Sequence, residues 1–358
     1  MALFVAACLL SLWYVLGYGL LPLRWQNSRL AGPDAPLQHA CRAAAQGRWE
    51  PAARLFEDAG PDWERRSLYA QRLGYVAARR SDRWLKAWAE ARPGDPDAAL
   101  VVARARVHHA WKLRGPARAH STSRRRFEGF HRELLASQHD IGRAAALHPD
   151  DPSPLVAEIW RALGLGYPNG EMHALWSEIT ARAPHHFEAH TSALQFWTAK
   201  WRGSKRLARE FAENAAAGAP PGSLLAALPL IAWYENHAYE VSDAGFRTPE
   251  VRELVDTVLA DVALADPDHP RLPEVRHLLA YFLYRQGRYG AALEQFRHVD
   301  GFTEALPWRY LSVKPLYYRA VRTKTARKAL TERSVSSDVT RGPRRGSGSG
   351  SVSGVSPG

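Results

Sequence analysis

Two short stretches carry residue types with chemical potential. In His185-His186-Phe187-Glu188-Ala189-His190, His186 and His190 stand four apart. On a helix that spacing sets two imidazoles one turn apart on one face, where both could ligate zinc. The glutamate follows His186 by two residues instead of one, which departs from the helical HExxH arrangement, and no third ligand is identifiable. Histidines that cap or pack at a helix start after Pro184 are therefore the preferred reading, with a metal at His186 and His190 as the alternative. In Tyr234-Glu235-Asn236-His237, an acid, an amide and an imidazole follow one another and could orient a substrate. A histidine beside the negative end of a helix dipole explains the same residues without catalysis.

No nucleophile elbow, phosphate loop or dinucleotide fingerprint is present. Gly164-Leu165-Gly166-Tyr167-Pro168-Asn169-Gly170 is glycine-rich, but Pro168 stands where a phosphate cradle needs a donor, so the stretch reads as a turn between helices. No catalytic residue and no cofactor is expected. The remaining candidates are aromatic. Trp160, Trp176, Trp197, Trp201 and Trp233 gather mid-chain, as wedges between helix pairs would. Alternatively Trp197, Trp201 and Trp233 join Lys200, Arg202, Asn236 and Arg285 on a concave surface that grips a peptide.

The elements that must position these residues are helical, because no run alternates with period two and the apolar spacing is that of helices. Helices are expected over 37–59 as a pair, 63–79, 81–91 with Ser81 as N-cap, 97–113, 124–147, 153–163, 170–182, 186–201, 204–217, 222–238, 249–265 and 273–285. Turn-rich segments at Pro93, Pro149, Pro184, Pro220 and Pro267 punctuate the chain at intervals of 56, 35, 36 and 47 residues. Two of those intervals are close to a repeat length of roughly 34.

One spacing rule occurs twice. Ala280 precedes Gly287 by seven residues, with Tyr289, Ala292 and Phe296 following at two, five and nine; Ala40, Gly47, Trp49, Ala52 and Phe56 obey the same offsets. Small residues let two antiparallel helices approach, the glycine supplies the left-handed residue ending the first, and the aromatics fill the wedge to the next pair. The pattern resembles the tetratricopeptide repeat, well over 37–59 and 273–299 and loosely elsewhere. Most of residues 37–310 also resembles a group of actinobacterial helical-repeat proteins of unassigned function, through WEPAARLFEDAGPDWERR, PHHFEAHTSALQFWTAKWRGS and HPRLPEVRHLLAYFLYRQGRYGAALEQF. These resemblances imply an all-α, irregular α-solenoid of antiparallel hairpins, a fold that binds protein partners, and no particular activity.

Residues 2–23 contain no charged side chain, and 22 helical residues extend roughly 33 Å, enough to cross a bilayer core. Arg24, Arg29, Arg42 and Arg48 follow the run and no basic residue precedes it, so a single-pass anchor with a cytoplasmic body is expected. A signal peptide lacks its basic start and cleavage site here, the Val5-Ala6-Ala7-Cys8 lipoprotein-like box lies too near the start, and a buried first helix is the remaining rival. The expected organisation is 1–23 span, 24–36 linker, 37–318 solenoid and 319–358 a basic, largely disordered tail.

The formal charge is +12, and residues 319–358 hold nine of the basic residues against Glu332 and Asp338. Basicity is thus largely a property of that end, where contact with anionic lipid is expected and nucleic acid is not. Arginine outnumbers lysine 41 to 7, a bias of a GC-rich bacterial genome more than of chemistry. Cys8 and Cys41 offer neither a disulfide framework nor a zinc site. The function expected is a membrane-anchored scaffold for protein-protein interaction, and its alternative an enzyme or metal protein using His186/His190 or Glu235 to His237.

Overall fold

The computed structural model describes residues 25–116, 122–237, 240–311 and 313–340, with side chains described to Thr331. The apolar stretch 2–23 lies outside the described residues, as does the sequence after 340. Among the described residues the chain is all-helical, with no strand and one isolated bridge between Asn27 and Phe302. No helix of the described residues is long and apolar enough to cross a membrane.

The helices are α1 (Ala35–Ala45), α2 (Glu50–Ala59), α3 (Trp63–Arg79), α4 (Arg83–Ala91), α5 (Pro96–Arg114), α6 (Arg124–Leu147), α7 (Ser153–Leu165) and α8 (Asn169–Arg182). They continue as α9 (Phe187–Trp197), α10 (Lys205–Ala217), α11 (Leu228–His237), α12 (Pro249–Leu264), α13 (Leu272–Gln286), α14 (Tyr289–Val299) and α15 (Lys314–Thr340). Their starts follow from side chains that satisfy the free N–H groups of a first turn. Asp34 accepts from Leu37 N, Asp62 from Arg65 N, Asp95 from Asp97 N and Ala98 N, and Ser204 from Leu207 N. Gly287, at φ +80°, ends α13 in the left-handed region, as its spacing predicts.

Both copies of the spacing rule form packed pairs, α1 on α2 and α13 on α14. Ala40, Ala52, Ala280 and Ala292 are buried. Trp49 stacks on Trp88, and Phe56 meets Tyr69 edge-on. Tyr289 packs beside Ala326 and Ala329, while Phe296 is fully buried between Trp308 and Tyr318. Gly47 has φ +91°, the same left-handed role after α1.

Contacts between the pairs centre on one helix. Helix α3 packs against α1, α2, α4, α5, α7 and α9, which makes it the hub. Gly74 brings α3 onto α5 so closely that a Cβ there would stand 2.9 Å from Arg104 Cβ and 3.0 Å from Ala105 N. Residues 27–30 and 301–304, far apart in sequence, then meet. Asn27 N donates to the Gly301 carbonyl at 2.6 Å, and Thr303 N donates back to the Asn27 carbonyl at 3.0 Å. Glu304 N reaches the Leu30 carbonyl at 3.1 Å, and Arg65 reaches the Asp268 carbonyl at 2.7 Å.

Four expectations change. The described part of the 24–36 linker is a strap, held by those backbone bonds and by His277, whose Nε2 donates to the Ala31 carbonyl at 2.8 Å. The body does not end at 318, since α15 continues and buries Tyr318, Val321, Arg322, Ala326 and Ala329. An aromatic and aliphatic stripe on an otherwise basic segment is what covers α14. The helix expected over 186–201 ends at Trp197, because Thr198 turns extended and Ser204 N donates to the Trp197 carbonyl at 3.1 Å. Likewise 222–238 is a 3-10 turn at Leu225–Ala227 followed by α11.

Candidate functional site

Helix α11, the 198–203 turn and the start of α13 converge on the hub. Between them lies a cavity of about 330 Å³. Its apolar wall is Trp160, Trp201, Ile231, Val275, Leu278 and Leu306; its polar wall includes Glu188, Lys200, Glu235, Arg271, Glu274, Arg309 and Tyr310. That mixture of aromatic surface and few polar groups is usual for a ligand pocket, and the size is at the lower end of the range.

One carboxylate organises the floor. Glu188, in the first turn of α9, is buried and receives Arg104 Nη2 at 2.5 Å, Gln71 Nε2 at 3.0 Å, Arg271 Nη2 and the Ser67 hydroxyl. These partners come from α3, α5 and the turn before α13. Burial alone would raise the Glu188 carboxyl, but Arg104 and Arg271 more than offset it and hold its pKa at about 2. Burial opposes the charge of Arg271 too, and Glu188 with Glu274 keeps it raised. A second buried guanidinium, Arg66, bridges Asp97 at 2.5 Å and Asp151 at 3.0 Å, tying α3 to α5 and to the turn before α7.

At the rim, Glu235 is enclosed by Lys200 Nζ at 2.7 Å, Tyr310 Oη at 2.5 Å and Gln195 Nε2 at 2.8 Å. Arg309 makes the longest ion pair of the lining cations, 3.5 Å to Glu274, and burial of its charge is offset by Glu274 and Glu304 together. Trp201 stands edge-on to Trp111 at 5.4 Å with the Arg114 guanidinium over it at 5.5 Å.

The structure separates the sequence candidates. Lys200 and Trp201 line the cavity. Trp197 is buried against Phe196 and His173, and Arg202 donates to the Gly166 and Tyr167 carbonyls at the end of α7. Trp233 packs on Phe246, Phe282 and His237; Asn236 is buried and donates to the Lys205 carbonyl. Arg285 lies over Phe246 at 4.0 Å and pairs with Asp243. Five of the seven thus pack or bridge within the fold, and Lys200 and Trp201 are the two that share this cavity.

The two chemical stretches also come apart. His186 Nδ1 accepts the Ala189 N–H at 3.1 Å as the cap of α9, and its Nε2 faces the Trp63 carbonyl at 3.2 Å, so both ring nitrogens are engaged. His190 Nδ1 points to the His186 carbonyl at 2.9 Å, and burial lowers its pKa to about 4. No cluster of three or more His, Cys, Asp or Glu suited to a metal occurs among the described residues. Glu235 turns into the cavity while His237 bonds the Trp233 carbonyl, so those two do not converge.

Glu188, Arg104, Arg271 and Arg309 were not among the sequence candidates. One signal existed for Arg104: it sits in the apolar stripe Leu100, Ala103, Val107 of α5, where a charge needs a partner. Its partner lies 84 residues away and leaves no local trace. Compared with protein-family models, with curated proteins and with solved structures, the chain finds no match in any of the three.

Proposed function

We propose that this chain is a tetratricopeptide-like α-solenoid that serves as a protein-interaction scaffold, anchored in the cell membrane by residues 2–23 with its body on the cytoplasmic side. The observation that supports the binding role is the cavity itself, which Trp160 and Trp201 line together with Arg309 and Lys200. Aromatic and arginine side chains in an enclosed site are the usual energetic centres of protein recognition. Glu188 is neutralised by Arg104 and Arg271, and Glu235 by Lys200; Arg309, whose pair with Glu274 is the longest of the lining cations, is the group assigned to a new anion. The reading is therefore of a partner that inserts an acidic side chain or a chain-terminal carboxylate beside an apolar group. The cavity volume of about 330 Å³ suits the tip of a segment and not a folded surface.

The test is photo-crosslinking from a benzophenone amino acid at Ile231, in the full-length protein in its native host. One dominant partner is expected, and Trp201→Ala and Arg309→Gln should each abolish the adduct while the protein accumulates normally. An adduct that survives both substitutions would move recognition off the cavity. Recovery of the full-length protein in the soluble fraction would remove the anchor.

A further inference from the structure

A second cavity, of about 700 Å³, lies between α1, α3, the strap at residues 26–30 and Lys314 at the start of α15. Arg29, Arg42, Arg72, Arg79, Arg80 and Lys314 line it, and no carboxylate does. Arg72 and Arg79 are seven apart on α3 with Tyr75 and Val76 between them, so they form one stripe along the wall. Lys314 is paired with Glu304, Arg42 donates to the Gln38 carbonyl at 3.3 Å, and Arg79 lies over the Tyr75 ring at 4.8 Å. Glu304 and Glu274 are the acidic groups whose field reaches Arg72.

Arg72 Nε is shut off from solvent without a hydrogen-bond partner. Burial lowers the pKa of Arg72, which Glu304 and Glu274 only partly offset. Enclosing a guanidinium donor with nothing to accept from it is costly, and an anion would relieve that cost. The planar fork of arginine fits phosphate oxygens two at a time, and of the six lining cations only Lys314 is ion-paired with a carboxylate among the described residues, Glu304.

We propose that this cavity binds a phosphate ester, with Arg72 as the enclosed anchor and Arg42, Arg79 and Arg80 around it. The uncharged stretch 2–23 ends three residues before Gln26 in sequence, so a lipid phosphate headgroup is one source of the ester and a soluble metabolite is the other. The site is separate from the hub cavity and does not depend on what that cavity holds.

Full-length protein in a zwitterionic detergent is titrated with inorganic phosphate, glycerol 3-phosphate and a short-chain phosphatidic acid. Saturable binding is expected, weakened about tenfold or more in Arg72→Gln/Arg79→Gln and partly kept in Arg72→Lys. Cys41, which lines the same cavity, should be alkylated more slowly when phosphate is bound. Phosphatidic acid binding about tenfold tighter than glycerol 3-phosphate assigns the site to lipid, and equal binding assigns it to a soluble ester. Arg344→Gln/Arg345→Gln should bind as the unaltered chain does. If the double variant at Arg72 fails to fold, Arg79→Gln alone should still weaken binding several-fold. No saturation by any of the three probes, unchanged binding in Arg79→Gln, or unchanged Cys41 reactivity overturns the proposal.

Discussion

Arg104 Nη2 stands 2.5 Å from Glu188 Oε1 at the centre of the molecule, and both side chains are almost completely buried. The pair joins α5 to α9 across α3, and Arg271 closes it from the C-terminal end. Two positive groups rest on one carboxylate, so the carboxylate is the member whose loss leaves most charge uncompensated.

Glu188→Ala should therefore destabilise the fold by about 3–5 kcal/mol, the range for breaking a buried ion pair from one side. Urea denaturation followed by circular dichroism measures it. A loss below about 1 kcal/mol would mean that water or a rearrangement satisfies both arginines.

Acid should weaken the fold in two stages. Burial lowers the pKa of His108 to about 3 and of His190 and His277 to about 4. Below about 6.5 the unfolded chain protonates these histidines and the folded chain does not, so stability falls as pH drops from that value towards 4. Glu188, held at about 2, adds a second loss as pH falls from about 4.5 to 2, where again only the unfolded state takes up the proton. Urea midpoints measured at a series of pH values should decline through both windows. His190→Phe, which keeps the ring against Trp176 and Phe211, should flatten the first limb and leave the second. A midpoint constant from pH 6.5 to 4.5 contradicts the assignment.

Helix propensity and packing disagree at Gly74, which makes it informative. Replacing a mid-helix glycine by alanine ordinarily gains about 0.5–1 kcal/mol. In α3 the added methyl meets Arg104 Cβ and the α5 backbone, and overpacking of this kind costs about 1–3 kcal/mol. Gly74→Ala should lower the melting temperature, and an increase would show that α3 and α5 have room to part.

Ala280 and Ala292 face a packed interior between α13 and α14, where each is fully buried. Ala280→Leu should cost about 1–3 kcal/mol by overpacking, in contrast to Ala291→Leu on the half-buried side of α14, which should be near neutral. Equal effects at the two positions would deny the small-residue contact its role.

Much of the architecture is legible because its signals are local. Pro96 and Pro249 follow capping residues and begin helices; Gly47 and Gly287 end turns that only a left-handed residue closes. The offsets around those glycines predict which alanines and aromatics are buried, because a helix pair fixes its own facing residues within about twenty positions. The turn at 198–203 is less legible, since Lys200, Trp201 and Arg202 suit a helix and it is the extended Thr198, with the bonds from Arg202 N to the Phe196 carbonyl and from Ser204 N to the Trp197 carbonyl, that stops it.

The candidate site was hardly legible at all. Lys200 and Trp201 were singled out with five neighbours that the fold sends elsewhere, because surface and wedge tryptophans look alike in sequence. Glu188 appeared as a spacer between histidines, yet it is the group on which Arg104 and Arg271 depend.

What the sequence determined alone is the helical content, the placement of helix ends and the small-to-aromatic seams of its first and last pairs, all set by contacts within one or two helices. What the tertiary structure decided is closure: the strap at Asn27 to Ala31 bonds to residues 277 and 301–304, and Arg271 reaches Gln71 across 200 residues. Contacts of that range depend on the accumulated angle of every helix pair between them, and no local spacing records such a sum.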